Sequence, residues 1–153
     1  MNKSENKRYA IIGFGNIGRA LAKAFARNGI KVSVATTKDP GSFAPDAAAI
    51  GPEIIPVTLA EAVMADVIFL AVHFESHPDV AKVLPNWQGK TIVDVTNAYG
   101  VPPEKLGGQP SSRFVAQAFT GAKLVKGFNH LLCRRTQSGS CSTWWQESGF
   151  PCR

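Results

Sequence analysis

Gly13, Gly15 and Gly18 stand in the spacing G-x-G-x-x-G, inside the run Tyr9-Ala10-Ile11-Ile12-Gly13-Phe14-Gly15-Asn16-Ile17-Gly18. That spacing serves phosphate chemistry. The first glycine permits a sharp turn, the second lets backbone approach a pyrophosphate, and the third lets the next helix pack closely on a sheet. A helix starting near Asn16 aims its unpaired N–H groups and positive dipole end at the same point. Gly-rich turns recur by chance, so context decides. Here an apolar strand precedes the turn, and Ile17, Leu21, Ala24 and Phe25 follow it as a helical stripe closed by Asn28-Gly29. The run therefore reads as a dinucleotide site rather than a turn without a ligand.

The second strand, Lys31–Ala35, bears on which dinucleotide. A fold that prefers NAD places Asp or Glu at its end to accept from the ribose 2′-OH. Thr36-Thr37-Lys38 stands there instead. Two hydroxyls and an ammonium suit a 2′-phosphate, which a carboxylate would repel. Asp39, just before Pro40, falls past the pocket. NADP(H) is favoured over NAD(H), the alternative being an ordinary solvated turn.

These groups need a scaffold, and the text supplies one. A loop from Pro40 to Gly51 holds a short helix through Asp46–Ile50, and Ile54–Val57 reads as a third strand, at an edge because of Pro56. Thr58-Leu59-Ala60-Glu61 fits a capping box opening a helix to about Ala65. Asp66–Val72 has the continuous apolar character of a central strand buried on both faces. Pro78–Leu84 reads as a helix, Thr91–Val95 as a fifth strand, Arg113–Phe119 as a helix after a loop, and Lys123–Phe128 as a sixth strand. The expectation is an α/β, doubly wound parallel sheet of order 3-2-1-4-5-6, the Rossmann NAD(P)-binding fold.

The 153 residues suit one domain, short for a dehydrogenase with a separate substrate domain. The net charge of +6 is spread without a basic stripe interleaved with aromatics, so nucleic acid is not expected as a partner. No apolar run reaches membrane-span length, and the polar start Met1–Arg8 lacks a secretory h-region; a cytoplasmic location is the expectation. The three cysteines, Cys133, Cys141 and Cys152, all fall in the last 21 residues, with Trp144-Trp145 and no periodicity. With His130 they match no zinc spacing, and a disulfide framework does not suit a chain without a secretion signal; no metal is expected. The division is a dinucleotide-binding domain over 1–131 and an irregular tail over 132–153.

Gly13–Gly18, Leu70-Ala71-Val72, Asp94-Val95-Thr96-Asn97 and Val125-Lys126-Gly127-Phe128-Asn129-His130 together resemble the deazaflavin-dependent NADP oxidoreductases, with the amino-terminal domain of pyrroline-5-carboxylate reductases as a more distant relative. The resemblance covers roughly residues 8–131. It implies that backbone around Phe14, Asn16 and Ile17 holds the pyrophosphate and that Thr36, Thr37 and Lys38 hold the 2′-phosphate. It further implies that Ala71, Val72 and His73 run along the cofactor towards the nicotinamide ribose, with Asn97 and Asn129 near the reacting end. Many relatives carry proline where this chain has His73. An imidazole there could donate to substrate or cofactor, while the bland reading is a packing or surface residue. His77, before Pro78, reads as a solvent-exposed helix start.

Hydride transfer to a flavin-like ring needs chiefly the alignment of two rings. Accordingly, neither an acid/base dyad nor a nucleophile elbow stands out, and no catalytic residue is assigned. The implied activity is NADP(H)-dependent hydride transfer with a flavin, a deazaflavin or a small organic molecule as acceptor. A dinucleotide-binding module without turnover is the rival reading. Imine reduction is a third, weakened because the helical dimerisation domain of pyrroline-5-carboxylate reductases has no counterpart in this length. Relatives continue past Phe-Asn-His with a strand reading roughly Val-Ala-Gly-Asp. Tryptophan has the single codon TGG, so Trp144-Trp145-Gln146 derives from TGGTGGCA and a purine. Read from the third base, this gives Val-Ala followed by Gly or Arg. The expectation is a fold truncated at its carboxyl end by a frameshifted tail, with coincidence as the alternative. The homodimer that the resemblance implies would lose part of its interface with it.

Overall fold

The computed structural model describes residues 7–128; Asn129, His130 and the tail over 132–153 lie outside the described residues. Six strands, β1 (Tyr9–Ile12), β2 (Val32–Ala35), β3 (Ile54–Pro56), β4 (Val67–Leu70), β5 (Thr91–Asp94) and β6 (Lys123–Lys126), form one sheet. All five pairings are parallel, and the order is β3-β2-β1-β4-β5-β6, as the alternating strand and helix text predicts. The helices are α1 (Asn16–Arg27), α2 (Ala44–Ile50), α3 (Leu59–Ala62), α4 (His77–Ala81), α5 (Pro103–Leu106) and α6 (Ser111–Ala118).

Side chains alternate across a strand, so a central parallel strand feeds two cores. In β1, Ile11 faces one layer with Val32, Val34, Ile54 and the helical residues Ala22 and Ala47. Ala10 and Ile12 face the other, with Ile68, Leu70, Ile92, Val115, Trp87 and Phe119. Trp87 is buried; its indole N–H donates to the Ala81 carbonyl at 3.0 Å and its ring meets Phe119 edge-on. In β4, Ile68 and Leu70 are fully buried, whereas Val67 and Phe69 are half-buried, Phe69 lying edge-on to Phe25. The core layer beneath α1 is thus the thinner one at that strand.

Local chemistry fixes the ends. Thr58 and Glu61 form both halves of the expected capping box, with the Thr58 N–H donating to the Glu61 carboxylate at 2.9 Å. The helix so opened ends at Ala62, three residues earlier than the sequence suggests. α2 starts at Ala44, earlier than expected, after a 3-10 turn over Pro40–Ser42 that the Asp39 carboxylate caps through the Gly41 N–H. Pro103–Leu106 forms a short helix where only a loop was expected, closed by Gly107 in the left-handed region. His77 is a correction: it is buried, 6% exposed, and not solvent-exposed. A 3-10 turn over Phe74–Ser76 carries the chain inward, so that the His77 ring packs on Phe74 and its Nδ1 meets the Phe74 carbonyl oxygen. Among the described residues, no helix is long and apolar enough to cross a membrane.

Candidate functional site

A parallel sheet whose strand order reverses between β1 and β4 leaves a crevice outside the strands' carboxyl ends, because neighbouring connections leave to opposite faces there. This chain has such a cleft, of about 940 Å³. Its floor is the glycine turn. Gly13 has φ +106°, a conformation that side chains rarely adopt, and a Cβ there would lie 2.2 Å from the Ala71 carbonyl oxygen. The turn after β1 therefore lies against the end of β4. Gly18 is buried behind the turn and does not line the cleft. A Cβ on it would stand 1.9 Å from the Gly13 carbonyl oxygen, so its absence lets α1 approach β1.

Gly15 differs. It precedes α1 as the N-cap with ordinary extended backbone, and a Cβ there would meet no protein atom within 4 Å. Nothing inside the protein demands glycine at this position, which lines the cleft. A group approaching the backbone from the cleft would. No side chain caps the first turn of α1, leaving its N–H groups directed to that side. These features fit a pyrophosphate.

Of the residues singled out from sequence, Gly13, Phe14, Gly15, Asn16, Ile17, Thr36, Thr37, Lys38, Ala71, Val72, His73 and Asn97 all line this one cleft. Asn129 lies outside the described residues. The Thr36 hydroxyl accepts from the Lys38 N–H at 3.0 Å, which curls the loop after β2 and leaves Thr37 and Lys38 exposed. Asp39 is engaged in capping its own turn and is not among the lining residues. His73 is exposed and borders both the main cleft and a smaller pocket with Phe74, Glu75, Tyr99, Gly100 and Val101.

The segment that carries Asn97 is anchored from below. Asp94, wholly buried, accepts from the Thr96 N–H and hydroxyl through one oxygen, at 2.9 and 2.7 Å. Its other oxygen accepts from Lys126 Nζ at 3.0 Å, and the same ammonium donates to the Thr96 carbonyl at 2.5 Å. The turn after β5 is thus tied to β6. Asp66 and Glu61, by contrast, lie outside the cleft. Each is held below the usual carboxylate range, Asp66 by the Arg8 N–H and guanidinium, Glu61 by the Thr58 N–H and hydroxyl. Burial pushes Lys90 down; its ammonium donates to the Ala65 carbonyl.

Sequence reasoning missed Arg19, Ser42, Phe43 and Asp46, which also line the cleft. Arg19 follows the last glycine directly and points along α1 to the cleft wall, a position readable from helical geometry. Ser42, Phe43 and Asp46 arrive through the 3-10 turn, which left no periodic signal.

A six-stranded, doubly wound parallel sheet with this glycine turn at its switch point defines a dinucleotide-binding α/β domain. Residues 8–98 match the family described as NADP oxidoreductase, coenzyme F420-dependent, and the chain belongs to that family. It is 30% identical over 141 residues to the metalloreductase STEAP3 of Rattus norvegicus, covering 88% of this chain and 27% of that protein. A hypothetical protein of Sinorhizobium meliloti has a similar structure, with a TM-score of 0.75 and 37% identity over 80% of this chain and 62% of that one. A candidate F420-dependent NADP reductase of an Arthrobacter species shares the fold, with a TM-score of 0.61 and 23% identity over 80% and 62% of the two chains. This chain therefore spans about a quarter of the metalloreductase and under two thirds of the two structures.

Proposed function

We propose that this domain binds NADP(H) across the cleft and takes part in hydride transfer between the nicotinamide and a flavin, a deazaflavin or a small organic acceptor. The observation that carries the reading is the floor at Gly15: an ordinary backbone position with open space above it, beside uncapped N–H groups of α1. In this assignment the backbone of Phe14, Asn16 and Ile17 donates to the pyrophosphate. Thr36, Thr37 and Lys38 hold the 2′-phosphate, the hydroxyls by hydrogen bonds and the ammonium by charge. Ala71, Val72 and His73 lie beside the nicotinamide ribose, with Asn97 at the reacting end. When bound, NADPH supplies the hydride, and the protein supplies alignment.

The test is thermal stabilisation of the 153-residue chain by NADPH and by NADH, followed by NADPH oxidation with a deazaflavin or flavin. A clear shift with NADPH and little with NADH supports the cofactor assignment. Oxidation with either acceptor supports hydride transfer, and binding without oxidation by either would favour a dinucleotide-binding module without turnover. A cooperative melt that neither dinucleotide moves would refute the assignment.

A further inference from the structure

We infer that Arg19 is a specificity-determining residue for the 2′-phosphate of the bound dinucleotide and that Asp46 is its resident counter-ion, displaced when that phosphate arrives. The inference rests on the NADP(H) reading above and assigns one more side chain to it.

Arg19 stands one residue past Gly18, and three contacts hold its guanidinium. Nε donates to the Phe14 carbonyl oxygen at 3.2 Å, and the group lies over the Phe14 ring, 5.1 Å from its centre. A terminal nitrogen donates to the Asp46 carboxylate at 2.5 Å, spanning from α1 to α2. Phe14 in turn packs on Phe43, with ring centres 5.6 Å apart. The backbone carbonyl and the aromatic face belong to the glycine turn itself, so the guanidinium is fixed to the floor of the cleft and not to its outer surface. Arg19 and Asp46 line the same cleft as Thr36, Thr37 and Lys38.

Asp46 differs in kind from the other two contacts. Both side chains of the pair are about half exposed, at 47% and 52%, so the ion pair itself is a weak bond in water. A guanidinium presents five N–H donors in a planar fork matched to carboxylates and phosphates alike. A phosphate monoester carries more negative charge than one carboxylate and three strong acceptor oxygens. Exchanging Asp46 for the phosphate therefore strengthens the bond, while Phe14 keeps the guanidinium in position throughout. With Lys38, this gives the cleft two cationic side chains.

The two partners of the pair should shift binding in opposite directions. Asp46→Asn removes the competitor, and NADPH should bind about threefold tighter, with NADH unchanged within twofold. Arg19→Gln should weaken NADPH about tenfold, the loss of one charge-assisted contact, and NADH less than twofold. Dissociation constants from nicotinamide fluorescence and competition by 2′-AMP against 5′-AMP read both effects without turnover, and melting curves check that each variant folds. Equal weakening of NADPH and NADH by Arg19→Gln would assign Arg19 to the pyrophosphate and overturn the inference. So would unchanged or weaker NADPH binding in Asp46→Asn. If the wild type binds neither dinucleotide, the cofactor reading falls and this one with it; if it binds NADPH and the variants do not diverge, this one falls alone.

Discussion

Two alanine substitutions three residues apart should separate the part of the glycine turn that serves folding from the part that serves a ligand. In Gly18→Ala the new methyl would stand 1.9 Å from the Gly13 carbonyl oxygen, a distance that real contacts never show. The neighbour is backbone and cannot rotate away, so α1 must retreat from β1 and loosen Ala22 against Ile11 and Val34. Overpacking of this kind costs roughly 1–3 kcal/mol, which for a chain of this size lowers Tm by about 3–10 °C. In Gly15→Ala the methyl meets no protein atom within 4 Å, and the backbone, at φ −79° and ψ −161°, suits alanine. Alanine is a poorer N-cap than glycine by about 0.5–1 kcal/mol, and the loss of unfolded-chain freedom offsets about 0.4–1 kcal/mol of that. The melt should barely move. Binding should not survive so well, because the methyl occupies the approach to the N–H groups of α1. Losing one or two charge-assisted hydrogen bonds, each worth roughly 1.5–3 kcal/mol, weakens NADPH by about tenfold to ten-thousandfold. Differential scanning fluorimetry and fluorescence titration read the two effects on the same samples. Wild-type affinity in Gly15→Ala, or a destabilisation equal to that of Gly18→Ala, would refute the reasoning.

Lys126→Met leaves the wholly buried Asp94 carboxylate without its ammonium partner, and urea unfolding should show a loss of about 3 kcal/mol, near the lower end for a broken buried pair; a loss under about 0.5 kcal/mol would contradict the anchoring role. Lys38→Glu sets a carboxylate at the end of β2, and the ratio of NADPH to NADH affinity should fall at least tenfold by titration, with a constant ratio contradicting the 2′-phosphate assignment. Asp66 is held below the usual carboxylate range by Arg8, so its contribution is full above the ordinary aspartate value of about 3.9 and is lost as pH falls through the depressed folded value. Stability measured from pH 7 down to pH 2 should therefore fall less steeply over that acid window in Asp66→Asn, and parallel curves would show that the Arg8 contact is not coupled to folding.

What could be read from the chain and what could not divide along physical lines. The stripe Ile17-Leu21-Phe25 carries a helical period, and the short apolar run ending in Ile11-Ile12 stops at the glycine turn, so β1 and α1 were legible, and with them the floor of the cleft. Thr58 and Glu61 were legible for another reason, since capping is local chemistry three residues apart. The rear wall at Ala71, Val72 and Asn97 was implied by the family resemblance, in agreement with the rule that ligands lie outside the carboxyl ends of parallel strands. Arg19 and Asp46 were not found because their meeting depends on how α1 and α2 pack, 27 residues apart, and no pattern along the chain encodes a pair at that separation. His77 was misread for a related reason. A histidine before proline at a helix start is polar in composition, and only the 3-10 turn after β4, invisible to periodicity, turns it inward.

The order of the strands also sets a timetable for synthesis. β1, β2 and β3 with their helices are contiguous, so the half bearing the glycine turn is complete once residue 57 has emerged. Yet β1 lies in the middle of the finished sheet, and its second edge is covered only by β4, whose last residue is Leu70. At about 5–20 residues per second, the nascent chain carries that open edge, with Ala10 and Ile12 facing water, for about one to three seconds. The stretch from Val57 to Asp66, with a helix started by its own capping box, is short and self-organising. It brings β4 to the waiting edge quickly, and so shortens the interval in which a neighbouring nascent chain could pair there first.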